Sequence, residues 1–205
     1  MNKYWEVAWA KQQAEQLEKT GVDQTKWKAS GRATKANPNK EDGAWWNVEG
    51  SKMVDSWITW RNGTHPLKLW TFDGIPAIEL GLAPQWNDIQ VQMHVDRVMV
   101  NPKGELIVLD IKTSVRTPSS DLQLAFYAAG IEEYFGIRPR YGVYWMARSG
   151  QTSELIDLDY FSKDDIIEIV TKFDQARKAE LFIPNLNHCT MCNIKDQCKY
   201  KTKRK

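Results

Sequence analysis

Two aspartates and a lysine stand at the end of an apolar ladder. The run Asp96-Arg97-Val98-Met99-Val100 leads into Asn101-Pro102-Lys103-Gly104-Glu105. It returns through Leu106-Ile107-Val108-Leu109 to Asp110-Ile111-Lys112. Charges in such surroundings are costly to bury without a partner. Two carboxylates brought close repel unless a cation lies between them. A hard divalent ion, Mg²⁺ or Mn²⁺, takes oxygen from one or two carboxylates and keeps several waters. Asp96 and Asp110 could hold such an ion, with the Ile111 backbone carbonyl as a third oxygen. The ion would polarise a phosphoryl oxygen and lower the pKa of a bound water. Lys112 could orient that water or stabilise developing negative charge. The competing use of the same charges is a surface ion pair at a strand end, Asp110 with Lys112 or Asp96 with Arg97. The residues alone leave both open.

The elements that must position these groups set a geometric demand. Ile89, Val91, Met93 and Val95 alternate with Gln90, Gln92, His94 and Asp96, the pattern of a half-buried strand. Leu106–Ile111 is apolar without alternation, as in a central strand covered on both faces. Asn101-Pro102-Lys103-Gly104 reads as the turn between them. If Val100 pairs with Glu105, Asp96 opposes Leu109 and Asp110 faces the other way. If Val100 pairs with Leu106, Asp96 opposes Asp110. A shared site therefore requires a five-residue loop or a bulge. Lys112 follows Asp110 by two and shares its face.

Around this hairpin the chain alternates helices and strands. Residues 4–19 read as a helix stopped at Gly21, and 22–44 mostly as a polar loop. Residues 45–61 read as a second helix ended by Asn62-Gly63, with Met53, Val54, Trp57 and Ile58 at helical spacing. Glu49 lies on or beside that apolar face. It is either a marginal charge near the positive helix N-terminus or a further carboxylate for a metal. Strands are expected at Leu67–Phe72 and Ile75–Leu80 around Asp73-Gly74, a hairpin turn signal. Glu79 is either a strand-end residue or another acid near the site. Ser119 or Ser120 is the expected N-cap of a helix to about Phe135, on which Gln123 and Tyr127, four apart, share a side. Strands at Tyr141–Met146 and Glu154–Leu158 follow, then a helix from Ser162 or Asp164 to about Lys178. The order indicates an α/β or α+β layer fold.

At 205 residues the chain suits one domain, 1–205, with an N-terminal helical part (about 1–62) and a cysteine-containing segment (about 184–205). No apolar run reaches membrane-spanning length, and Met1–Glu6 lacks a signal-peptide core, so the expected location is cytoplasmic. Net charge is +2, which excludes little. Lys199, Lys201, Lys203, Arg204 and Lys205 crowd the end, either as a solvated tail or as a phosphate-tracking arm. Of ten tryptophans, nine precede residue 87; most are expected in the core, with some left over for a base-stacking surface. Three cysteines in a cytoplasmic-looking chain argue against a disulfide framework.

Asp96, thirteen residues, then Asp110-Ile111-Lys112 resembles the PD-(D/E)xK nuclease motif. Gln123-Leu124-Ala125-Phe126-Tyr127 is similar to the Q-x-x-x-Y motif of RecB-type nucleases, a group that includes the CRISPR-associated adaptation nucleases. Cys189-x-x-Cys192 followed by Cys198 resembles that group's cysteine cluster. The resemblance covers residues 79–198 and implies an α/β, restriction-endonuclease-like fold: a central mixed sheet flanked by helices. It implies a Mg²⁺- or Mn²⁺-dependent DNA exonuclease, in phage or bacterial DNA recombination or repair. Asp96 and Asp110 would be metal ligands and Lys112 the catalytic lysine. Gln123 and Tyr127 would contact DNA or brace the site.

The chain departs from the group in two respects. Relatives place a histidine on an upstream helix, whereas no histidine precedes His65 here and that helix offers Glu49. Iron–sulfur members carry one cysteine before the core, and this chain has none before Cys189, so four thiolates within one chain are impossible. Zinc completed by His188 or another residue, an iron–sulfur cluster with a non-cysteine ligand, and a metal-free segment all stay open. The alternatives in function are a catalytically inactive DNA-binding module of the same fold and a nuclease acting on RNA. Expected partners are DNA and either a second copy or a recombination protein, with no membrane.

Overall fold

The structure is a computed structural model and describes residues 2–200 apart from 28, 30, 32, 36, 37, 39, 186–188, 190 and 191. Its helices are α1 (Lys3–Thr20), α2 (Gly43–Asn62), α3 (Leu122–Phe135) and α4 (Lys163–Lys178). Its strands are β1 (Lys68–Leu69), β2 (Thr71–Phe72), β3 (Ile75–Pro76), β4 (Ile78–Leu82), β5 (Gln85–Trp86), β6 (Ile89–Gln90), β7 (Met93–Val100), β8 (Leu106–Lys112), β9 (Tyr141–Met146), β10 (Gln151–Thr152) and β11 (Ile156–Asp157).

The central sheet runs β1-β7-β8-β9-β10, with β4 also on β7 and β11 also on β9. β7 and β8 are antiparallel, whereas β8 and β9 are parallel, so α3 must carry the chain back between them. β8 is central and explains its own composition. Leu106 and Val108 enter the core beneath α3 and α4, while Ile107 and Leu109 enter the core beneath α2. With both faces covered, alternation disappears. Each such fully buried aliphatic side chain contributes roughly 1.5–3 kcal/mol. That burial is what can hold a charged residue at the strand's end. Gly142 lets α3 approach β9 closely, because a Cβ there would lie 2.7 Å from Leu124 Cδ1.

Several expectations need correction. The run expected as one strand at Leu67–Phe72 is split at Trp70, whose N–H still bonds Val98 O of the main sheet while its carbonyl accepts from Ala77. β2 and β3 then form a separate small ladder around Asp73 and Gly74, both with positive φ. Their chain rejoins β7 at Ile78, so β1 and β4 share one edge of β7. α3 starts later than predicted: its N-cap is Asp121, and Ser120 Oγ accepts from the Leu122 N–H in a local turn. Glu154–Leu158 forms strand only at Ile156–Asp157. The tryptophans are mostly not core. Only Trp86 and Trp145 are buried, and the other eight are half-buried plates against the sheet or between helices. A ring that large can cover a core with one face and leave an edge in water. α4 opens where expected, on a Ser162–Asp165 capping box.

Candidate active site

The hairpin meets its geometric demand. Val100 pairs with Leu106 and the register runs to Arg97 against Leu109, so Asp96 and Asp110 are the next residues on the two strands. The connection is the five-residue one, held by Asn101: its Oδ1 accepts from the Lys103 and Glu105 N–H groups, and Gly104 takes positive φ. β7 then parts from β8. Ile111 N–H bonds not to backbone but to Asp96 Oδ2, at 2.7 Å. The side chain thus takes the place of a ladder acceptor, which satisfies the backbone and locks the carboxylate at the fork. Val95 and Val98, three apart, both enter the core under α3, so the strand's alternation slips by one across Asp96–Arg97.

Asp110 is 2% exposed. Burial raises its pKa, opposed by Lys112, and the charge of Asp96 raises it further. Lys112 Nζ lies 2.7 Å from Oδ2 but off the hydrogen-bonding direction, so this buried oxygen has no aligned donor. Oδ1 accepts from Gln123 Nε2 at 3.1 Å. Gln123 joins the whole group: its Oε1 accepts from Lys112 Nζ at 2.8 Å, and its Nε2 also donates to Tyr127 Oη at 2.7 Å. The opposite amide orientation would set carbonyl against carboxylate and NH₂ against ammonium, so these neighbours dictate it. Burial and the charges of Asp110, Asp96 and Glu79 raise the Tyr127 pKa, which keeps it a neutral phenol.

The remaining candidates lie further out. Glu79 faces Asp96 between the Ile78–Arg97 and Leu80–Val95 pairs of the β4–β7 ladder. Its φ of 49 is unusual for a residue with a side chain. The carboxylate is 68% exposed and 3.6 Å from Arg97 Nη1, at the rim. Glu49 sits on α2, against the opposite face of the sheet, ion-paired with Lys52 at 2.5 Å and within the field of Arg148. Cys189, Cys192 and Cys198 line one cavity of about 360 Å³ and form no disulfide. Among the described residues, no three His, Cys, Asp or Glu side chains gather as a metal-ligand group. His188, Lys201, Lys203, Arg204 and Lys205 lie outside the described residues.

Two residues near the site have no sequence signal. Tyr144 pairs with Asp110 across β8–β9, and Lys112 Nζ lies 5.8 Å from its ring centre. Burial, then Asp121 and Asp110, pushes this phenol up to about 12. In sequence Tyr144 is one more apolar strand residue. Arg148 donates to Thr113 O at 2.6 Å and grips the Glu41 carboxylate through both Nη atoms. It thereby anchors the chain just past Lys112, from a turn that reads as ordinary loop.

Two carboxylates at a strand fork suit an ion that keeps waters and substrate oxygens in its other positions. Asp110 Oδ2, buried beside Asp96 with only the off-axis Lys112 ammonium against it, fits such an ion. A mixed sheet flanked by helices, with Asp, Asp-x-Lys and Gln-x-x-x-Tyr in this order, matches the restriction-endonuclease-like fold. The chain belongs to the PD-(D/E)XK nuclease superfamily, whose family model matches residues 1–199. It is also similar to the "Gene 69 protein" of Mycobacterium phage D29, 29% identical over 191 residues, covering 82% of this chain and 69% of the relative. No helix among the described residues is long and apolar enough to cross a membrane.

The raised pKa of Asp110 makes a pH prediction. An acid whose folded pKa is raised contributes stability that is present below its unfolded value, here 3.8, and is lost as pH rises through the folded value. In EDTA, wild type should therefore lose stability relative to Asp110→Asn as pH rises through that window. Mg²⁺, which binds the deprotonated acid, should reverse the trend. Urea denaturation of both proteins across pH checks this; parallel curves would contradict it.

Proposed function

We propose that the protein is a Mg²⁺- or Mn²⁺-dependent DNA exonuclease of the RecB-like type, working in phage or bacterial DNA recombination or repair. The observation that carries this reading is the buried Asp110 Oδ2, with no aligned donor, set beside Asp96 and Lys112. Asp96, Asp110 and the Ile111 carbonyl would hold the ion, with Glu79 at the rim as a further acid; Glu49, paired with Lys52 on α2, stands across the sheet from them. The bound ion would supply Lewis-acid activation of the phosphate and of a water.

The chain's own groups do the rest. Lys112, held by Gln123 Oε1, presents its ammonium where negative charge develops on the phosphate. Tyr127 accepts from Gln123 and keeps its own proton to donate to a phosphate oxygen. Gln123 keeps Lys112, Asp110 and Tyr127 in fixed relation, so little reorganisation accompanies the reaction. A zinc ion or iron–sulfur cluster at Cys189, Cys192 and Cys198 belongs to the same reading only if a further ligand completes it, since three thiols do not.

The test is degradation of end-labelled single- and double-stranded DNA with Mg²⁺, Mn²⁺ or EDTA, and of RNA of the same sequence. Stepwise shortening from an end of DNA, abolished by EDTA, is expected. Internal cuts would make it an endonuclease, and faster loss of RNA would change the substrate. Binding without cleavage under every ion would leave a DNA-binding module.

A further inference from the structure

A groove of about 510 Å³ opens directly beside this network and shares Gln123 and Tyr127 with it. Its floor is apolar, made by Val91, Leu122 and Phe126. Its rim carries Gln92 and His94, both exposed on the approach to Asp96. Phe126 is steadied from behind by Trp86, with ring centres 6.2 Å apart. His94 pairs across the ladder with Gly81, where even an added Cβ would lie 3.7 Å from the imidazole. The imidazole thus lies beside Gly81 at the rim of the groove.

We propose that this groove is a nucleobase subsite, taking one unpaired base of the strand whose phosphate lies at Asp110 and Lys112. The inference rests on the nuclease reading and adds its substrate class: a single-stranded or frayed DNA end. A base has apolar faces and a polar edge. The groove offers an apolar floor with an aromatic ring for the faces, and an amide and an imidazole for the edge. A duplex keeps its bases stacked inside, so only a base that has left the stack can enter. Because Gln123 and Tyr127 are common to both sites, a seated base and its adjoining phosphate are held by one rigid group.

The experiment compares a thymine decanucleotide with an abasic strand of the same length, by fluorescence anisotropy in EDTA. Wild type, the double variant Gln92→Ala/His94→Ala and Phe126→Leu are measured, with thermal melting as a check on folding. The rim residues are exposed, and leucine keeps apolar volume against Trp86, so all three proteins should fold. Wild type should bind the thymine strand about tenfold more tightly than the abasic one. In both variants that ratio should shrink to within about twofold, the mark of direct coupling between base and groove. An unchanged ratio in the variants overturns the subsite. Cleavage of the thymine strand with Mg²⁺ is read in parallel. Cleavage with an unchanged ratio removes the subsite and keeps the nuclease; a collapsed ratio without cleavage keeps the subsite and removes the nuclease.

Discussion

Asp110→Ala is expected to lower DNA cleavage by on the order of 10³-fold or more while leaving the protein folded. Ion-assisted phosphate activation supplies several kcal/mol, and one carboxylate cannot replace two in holding the ion. Titration calorimetry should show Mg²⁺ binding lost together with activity. Stability should change little, or rise in EDTA. The wild-type carboxylate is almost fully buried, beside Asp96 and without an aligned donor on Oδ2. Removing it relieves desolvation and repulsion. Lys112, whose side chain is 23% exposed, keeps Gln123 Oε1 and can reach water. Retention of cleavage near the wild-type rate would remove Asp110 from the chemistry.

Lys112→Ala is expected to behave differently in every measurement except activity. The rate constant kcat should fall by roughly 10²–10³-fold, the usual cost of losing one fixed positive group at a developing charge. Metal affinity should be unchanged or tighter, because the ammonium that competes for Asp110 Oδ2 is gone. Stability in EDTA should fall by about 1–3 kcal/mol, since a buried carboxylate loses its cation. Saturating Mg²⁺ should restore it by mass action. A variant that lost metal binding and activity together would show Lys112 to be structural, a support for the ion site only.

The hairpin was legible because its constraints are local. The apolar run of β8, the Asn101–Gly104 turn and the two-residue spacing of Asp110 and Lys112 are properties of neighbours along the chain. Gln123 and Tyr127 were legible for the same reason, four apart on one helix. The register could only be posed as a choice, because a five-residue and a four-residue connection are both compatible with Asn101–Glu105. Trp70 and the tryptophans of α1 and α2 misled, since a hydrophobic side chain in sequence says nothing of how much of its surface a neighbour will cover. Ser119 and Ser120 misled for a subtler reason: a serine can cap a helix or close a turn just before one, and here Ser120 closes the turn.

The sequence by itself determined the inventory of the candidate site: two acids, a lysine, a glutamine and a tyrosine, on a strand hairpin and the helix after it. It could do so because side-chain direction follows from strand and helix periodicity. The tertiary structure alone decided what those groups are to one another. β7 parts from β8 so that Asp96 caps Ile111 N–H, α3 crosses so that Gln123 reaches Asp110, Lys112 and Tyr127 at once, and α2 keeps Glu49 on the far face. Those relations depend on which elements pack together and at what angle. Buried surface summed over the whole core sets that, and no single stretch of chain encodes it.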